Sequence, residues 1–303
     1  MRSKIDKLQW NMIVDRFYER RCVPFLGAGA NISRENPAYQ GLPLGGEVAW
    51  RIGDELKYTK NRAMAAGMAR IALEYELRSD RGYLLDFLMK AVPDEQRIPS
   101  PLLETLAKLP LGLVVTTNYD RLLERALQSE GRQFELLVQP IGGFEDIPAT
   151  WALFDKLEHD AEIIVYKIHG SFGHDPETGG APERAGPPRV IITEDDYIEF
   201  LAVHEKESER IGVPKIIRSK LIPSTLLFLG YGLQDWDFRT IYRGLVGRLN
   251  KHDRRASFAI QKNPPRYWVK YWESQGIEIF NMDAYQFAEQ LAARYFEKYP
   301  RPI

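Results

Sequence analysis

Short apolar runs alternate with longer segments of helical period along this chain, and this alternation restricts its fold more than any other feature. The runs are rich in Val, Ile, Leu and Phe, and most end at a turn or a helix start. The predicted strands are Cys22 to Leu26, Leu113 to Thr116, Ile163 to Ile168, Val190 to Ile192, Thr225 to Leu229, Ser257 to Ile260 and Ile277 to Phe280. The pattern predicts an α/β fold with a parallel sheet and helices on both of its faces.

A long helical segment separates the first two predicted strands. It contains three stretches of helical period, Glu47 to Lys57, Arg62 to Leu77 and Tyr83 to Val92, and no clear strand. One crossover connection needs far fewer residues. We therefore expect residues 35–99 to form a small helical insert, and residues 1–34 and 100–303 to form the domain that holds the sheet. A Gly- and Pro-rich stretch, Gly173 to Pro188, is predicted to be a mobile loop.

Composition excludes several classes of protein. A single Cys cannot form an internal disulfide or supply a zinc site built from several cysteines. A balance of 41 Lys+Arg against 42 Asp+Glu argues against a dedicated nucleic-acid binder. Met1 to Arg21 reads as an amphipathic helix and not as a signal peptide, and no stretch reaches the ~18 apolar residues of a membrane span. These features predict a cytoplasmic protein without a membrane anchor.

The first strand leads directly into a glycine turn, Gly27-Ala28-Gly29-Ala30-Asn31. Glycines here let backbone N–H groups approach a diphosphate, and the start of a helix adds favourable partial charge. The turn is only half of the dinucleotide-binding G-x-G-x-x-G pattern, because Ile32 occupies the third glycine position. A tight strand-to-helix turn without a ligand explains these residues equally well. The chain contains no P-loop motif.

Polar residues follow two further strands. Asn118 and Asp120 come directly after the second strand, and His169 with Gly170 ends the third. The carboxyl ends of parallel strands line the ligand crevice of open α/β sheets. Asn118 offers both a donor and an acceptor to a ribose hydroxyl or a water molecule, and His169 could be a general base. For Asp120, capping the following helix is at least as good an explanation as catalysis.

Two later segments complete the pattern. Gly230 and Gly232 form a second glycine turn before Asp235, which could cap the next helix, and Asn281 follows the last strand, where an adenosine ribose could bind. By contrast, Thr193 and Asp196 are spaced as a variant of the helix capping box and require no function.

The order of these segments resembles the SIR2 (sirtuin-like) family, and within it the zinc-free bacterial branch, over roughly Val23 to Asp283. The resemblance implies a Rossmann-like NAD-binding sheet with a second, small domain. By motif match it implies that Asn118 and His169 are catalytic. It also implies a set of cofactor-binding positions, which are Gly27, Ala28, Gly29, Asn31, Asp120, Gly230, Gly232 and Asn281.

Differences from the deacetylase sirtuins are informative. Those enzymes carry four zinc-binding cysteines after the His-Gly segment, where this chain has the cysteine-free stretch Gly173 to Pro188, so zinc is not expected. The family's nicotinamide-pocket motif reads here Gly41-Leu42-Pro43-Leu44-Gly45-Gly46, without the expected Phe and Arg. The resemblance therefore implies hydrolysis of NAD as a substrate, in an effector of bacterial anti-phage defence controlled by homo-oligomerisation or by a partner such as a HerA-type ATPase.

Two other functions stay open. A protein-lysine deacylase would share NAD and His169, but the missing cysteines and pocket motif argue against it. A non-catalytic sensor would bind NAD or ADP-ribose and change its assembly without turnover. A dehydrogenase is disfavoured because the third glycine and a convincing ribose-binding acid are lacking.

Overall fold

The computed structural model describes residues 4–32, 41–93, 97–139, 162–172, 190–205, 213–243 and 255–300. The strands are β1 (Cys22–Leu26), β2 (Leu113–Thr116), β3 (Phe134–Val138), β4 (Ile163–Lys167), β5 (Thr225–Leu229), β6 (Ser257–Gln261) and β7 (Ile277–Asn281). The helices are α1 (Lys7–Tyr18), α2 (Gly45–Glu55), α3 (Lys60–Ala66), α4 (Met68–Arg78), α5 (Arg81–Ala91), α6 (Pro101–Ala107), α7 (Leu122–Ser129), α8 (Glu194–Glu205), α9 (Lys215–Leu221), α10 (Trp236–Ile241), α11 (Arg266–Ser274) and α12 (Ala284–Lys298).

One parallel sheet of seven strands organises the described residues, in the order β3-β4-β2-β1-β5-β6-β7. After β1 the chain builds β2, β3 and β4 on one side, then returns to place β5 on the other side of β1. The strand order therefore reverses between β1 and β5. In open α/β sheets, ligands bind outside the carboxyl ends of the strands at this switch point.

Apolar side chains cover both faces of the sheet. On one face, α1, α6, α7 and α12 pack on alternate residues of β1 and its neighbours, and on the other face α8 to α11 pack on the remaining alternate residues. The strands β1, β2, β4 and β5 are buried along their whole length. This arrangement confirms the predicted parallel α/β sheet with helices on both faces.

Helices α2, α4 and α5 enclose an apolar cluster of their own, in the region predicted as an insert. The cluster also includes Val190 and Ile192, and Tyr119 and Phe172 pack against it. These helices thus lie directly on the loops that follow β2 and β4. Division of the chain into residues 35–99 and the remainder stays a proposal.

Three local predictions were wrong. Strand β3 was missed because it is an edge strand in which only Leu137 is buried. Val190 to Ile192 is not a strand of the sheet, because Val190 forms only an isolated antiparallel bridge to Gly170. The single helix predicted from Arg62 to Leu77 is broken at Gly67, whose φ of +83° ends α3 and begins α4. The loop predicted at residues 173–188 lies outside the described residues.

Candidate active site at the carboxyl ends of the central strands

The glycine turns after β1 and β5 pack backbone against backbone. Gly27 donates its N–H to the carbonyl of Leu229 (3.0 Å), and Gly29 donates to the carbonyl of Gly230 (2.8 Å). A Cβ added to Gly230, whose φ is +77°, would lie 2.3 Å from the amide nitrogen of Ala30. These glycines are therefore required by the closure of the switch point itself, before any ligand is considered.

Residues far away in the sequence hold the first glycine turn from behind. The turn forms a short 3₁₀ helix, Ala28–Asn31. Ser100 donates its hydroxyl to the carbonyl of Ala30 (2.6 Å), and the buried Tyr285 hydroxyl donates to the carbonyls of Ala30 (3.2 Å) and Ile32 (2.9 Å). Both side chains were missed in the sequence, since no local pattern links them to the turn. They fix the turn rigidly on the side facing the protein interior.

Asn118 lies at the end of β2, on top of the first glycine turn. Its side-chain amide donates to the carbonyl of Gly27 (3.2 Å), and its backbone N–H donates to the hydroxyl of Thr116 (3.0 Å). The side chain is half-buried. Because Nδ2 is used by Gly27, the amide oxygen faces away from that carbonyl and can accept a hydrogen bond from a ligand.

Asp120 and Asn31 are turned into the protein. The Asp120 carboxylate accepts from the backbone N–H of Leu122 (2.9 Å) and from the Asn31 side-chain amide (3.1 Å to each oxygen). Asn31 is 1% exposed and Asp120 is 7% exposed. The N-cap of α7 is Arg121, so Asp120 is not the N-cap that the capping explanation predicts. It lies one residue earlier, binds the first N–H of the helix, and joins the loop after β2 to the glycine turn after β1.

The loop that carries His169 is joined to the Asn118 loop by hydrogen bonds. Ser171 donates its hydroxyl to the carbonyl of Tyr119 (3.2 Å), the backbone N–H of Phe172 donates to the same carbonyl (3.3 Å), and the Tyr119 hydroxyl donates to Ile191 (2.5 Å). The two predicted catalytic loops are thus brought together at adjacent strands.

His169 itself is completely buried. Its exposed fraction is 0%, and its ring lies edge-on to Tyr197 and Phe200 of α8, with ring centroids 5.5 Å apart in each pair. Helix α8 is held in place by the capping box predicted at its start, since Thr193 and Asp196 bind each other's backbone N–H groups (2.9 and 3.2 Å). Helix α8 therefore shares in the burial of the imidazole.

The remaining predicted residues lie further along the sheet edge. Gly232 donates its N–H to the Asp235 carboxylate (3.0 Å), so that carboxylate binds the glycine turn and does not cap α10. Asn281 ends β7, on the far side of β6 from the switch point, where its side-chain oxygen accepts from the backbone of Asn263 (2.7 Å). The structure gathers Asn118 with the glycines of both turns, and leaves Asn281 two strands away.

A comparison with protein-family models matches residues 112–280 to the SIR2-like domain. This match covers more than half of the chain. The chain belongs to the SIR2-like family. The segments that carry Asn118, His169 and the second glycine turn all lie within the matched residues.

Curated relatives of this SIR2-like chain include bacterial proteins with longer sequences. Over 293 residues it is 22% identical to defense-associated sirtuin 2 of Bacillus subtilis, covering 92% of this chain and 24% of that protein. It is 27% identical over 198 residues to the NAD(+) hydrolase ThsA of Cytobacillus dafuensis, covering 64% of this chain and 33% of that protein. The chain thus spans a quarter to a third of the length of these relatives.

Solved structures of Sir2 enzymes also align with the chain. A mutant Sir2 homologue in complex with ADP-ribose aligns over 99% of this chain and all of that one, at 11% identity with a TM-score of 0.48. Within the described residues, no three His, Cys, Asp or Glu side chains are grouped so as to hold a metal ion. No described helix has both the length and the apolar character needed to span a bilayer.

Proposed function

We propose that this SIR2-like chain is an NAD+ hydrolase domain that cleaves the nicotinamide-ribose bond, yielding nicotinamide and ADP-ribose, within an anti-phage defence protein. The observation that carries the proposal is the hydrogen bond from the Asn118 side-chain amide to the Gly27 carbonyl, at the switch point of the sheet. The names of the relatives, several of which are NAD(+) hydrolases, support the same activity.

In the proposed reaction, NAD+ lies across the carboxyl ends of β1, β2 and β5, with its diphosphate near the turn at Gly27, Ala28 and Gly29. Nicotinamide departs through an oxocarbenium-like transition state, and water adds to the ribose carbon. The orientation of Asn118 is fixed by Gly27, so its amide oxygen can hold that water or a ribose hydroxyl in line. Positioning of this kind supplies much of the rate when the leaving group is already good.

His169 is proposed to accept the proton from the attacking water or from a ribose hydroxyl. Because His169 is completely buried, this role requires a rearrangement around its ring, such as a shift of α8, when substrate or an activator binds. An unregulated hydrolase would drain the cell of NAD+. We therefore propose that homo-oligomerisation, or a partner such as a HerA-type ATPase, controls the shift.

The test is direct. The purified chain, alone and with candidate partners, is incubated with NAD+ and the products are separated by chromatography. We expect nicotinamide and ADP-ribose in equal amounts, and their loss in Asn118→Ala and in His169→Ala. Asn61→Ala, on the exposed surface of α3, is the matched control and keeps the wild-type rate. Full activity in Asn118→Ala, or no nicotinamide under any condition, contradicts the proposal.

Burial of His169 favours one second candidate, a sensor that binds NAD+ or ADP-ribose without turnover. The same incubation separates the two functions. A sensor is stabilised against heat by either ligand while no nicotinamide is released over hours, whereas a hydrolase consumes NAD+. An acylated peptide added in a parallel reaction tests deacylation, which would make product formation depend on that peptide.

A further inference from the structure

A buried ion pair lies directly beneath the candidate site, and the mechanism above does not use it. Lys167, the last residue of β4, is 1% exposed, and its ammonium is 3.0 Å from the carboxylate of Glu124 on α7, whose side chain is 5% exposed. The same ammonium donates a hydrogen bond to the backbone carbonyl of Asp120. Lys167 thus connects the end of β4 to the loop that carries Asn118.

A buried pair of this kind commonly adds little net free energy to folding. Removing two charges from water costs several kcal/mol per ion, and the attraction between them commonly does no more than offset that cost. Apolar residues of similar size at both positions would hold α7 against the sheet equally well. What Lys167 supplies, and a methionine or leucine cannot, is therefore the hydrogen bond to the Asp120 carbonyl.

That hydrogen bond fixes a residue with contacts in three directions. The Asp120 carbonyl accepts from Lys167, while its carboxylate binds the start of α7 and the side chain of Asn31. Asn118 lies two residues before it, and reaches Gly27 through its own side chain. Because both the carbonyl and the carboxylate of Asp120 are bound, these contacts restrain the short loop after β2 and, with it, the direction of the Asn118 amide.

We propose that Lys167 is a positioning residue for the Asn118 loop, acting through the Asp120 carbonyl, and that Glu124 serves to keep its charge tolerable in the protein interior. This inference rests on the proposed hydrolase function for its kinetic readout. Lys167 touches neither substrate nor reacting atoms in the proposed reaction, so its effect is on the turnover rate and not on the chemistry available.

Two variants separate positioning from stability. Lys167→Met combined with Glu124→Leu removes both charges, and we expect a denaturation midpoint at or above that of the wild type. The same double variant should lose about 100-fold in kcat for nicotinamide release, because the reacting geometry is misplaced by about 1 Å, with KM for NAD+ within about threefold. Glu124→Gln keeps the Lys167–Asp120 hydrogen bond, so it should lower the midpoint while kcat stays within about threefold of the wild type.

A structural readout is measured on the same proteins. Amide hydrogen exchange of residues 117–120 should be at least about tenfold faster in the double variant, while exchange of β2 and β5 stays unchanged. If the wild type releases nicotinamide and the double variant matches its kcat, the inference is overturned. If the wild type releases none, the hydrolase proposal fails by itself, and the exchange result then decides: faster exchange in the loop supports positioning by Lys167, and unchanged exchange overturns it. If the double variant does not fold, amide exchange is measured in Glu124→Gln instead, and faster exchange of residues 117–120 in that variant overturns the inference.

Discussion

Replacement of Gly230 by alanine tests the backbone contact at the centre of the sheet. The added Cβ would lie 2.3 Å from Ala30 N, 2.7 Å from Gly29 C and 2.9 Å from Gly27 O. All three are backbone atoms, so no flexible side chain can move out of the way. Non-bonded heavy atoms prefer separations near 3.5 Å, and the two glycine turns must therefore open by about 1 Å.

The expected loss of stability has two parts. An alanine in the left-handed region at φ +77° costs about 1–2 kcal/mol. Opening the turns also weakens the bonds from Gly27 to Leu229 and from Gly29 to Gly230, at about 0.5–1.5 kcal/mol each. The free energy of unfolding should therefore fall by about 2–5 kcal/mol in total. If the turn binds the NAD+ diphosphate, nicotinamide release should also slow by about 100-fold.

Gly276→Ala provides the matched control. Gly276 has φ +86° but no heavy atom within 4 Å of its added Cβ, so this variant reports the backbone cost alone, about 1–2 kcal/mol. Urea denaturation followed by circular dichroism measures both variants. Equal destabilisation by the two substitutions, within about 0.5 kcal/mol, would show that the close approach of the two turns does not exist.

Two further predictions concern other parts of the fold. Arg81 of α5 donates to the carbonyl of Val190 (2.6 Å) and pairs with Asp196 of α8 (3.0 Å), so Arg81→Met should destabilise the protein by about 1–3 kcal/mol in urea denaturation. Arg78→Met, at an exposed ion pair, should change stability by less than about 0.5 kcal/mol, and equal effects of the two variants would show that Arg81 does not join α5 to α8. Burial raises the pKa of the Cys22 thiol, so iodoacetamide should label this thiol only when the protein unfolds. The free energy of unfolding should fall as the pH rises above about 8.5, because the thiol then ionises in the unfolded chain but not in the folded one. Cys22→Ala should remove that part of the pH dependence, and rapid labelling of the native wild type would contradict the prediction.

The sequence allowed the interior of the sheet to be predicted well. Strands such as β1, β2 and β5 are buried on both faces, so nearly all of their residues are apolar and they stand out from the helices around them. β3 could not be found in this way, because an edge strand buries little and tolerates polar residues such as Glu135. The break at Gly67 was missed because a single glycine inside a helical pattern does not by itself reveal a positive φ.

The site was predictable only in part, and for a related reason. The placement of Asn118 and the glycines at the switch point was predictable because each lies at the end of a strand, which a sequence pattern can reveal. The contact of His169 with Tyr197 and Phe200 depends on where α8 packs, and the support of the turn by Ser100 and Tyr285 joins segments that are far apart in the sequence. Such tertiary contacts leave no periodic signal. Lys167 was missed because a lysine at a strand end usually lies in solvent.

The middle position of β1 also affects how this protein is made and how it can be divided. Its partner β5 begins about 200 residues after β1 ends, so a ribosome must add those residues before the two halves of the sheet can join. Until then, one edge of the buried strand β1 is open to pairing with any other nascent chain. A fragment limited to residues 112–280, which match the SIR2-like domain, would lack β1 altogether. It would leave β2 and β5 without the strand that lies between them.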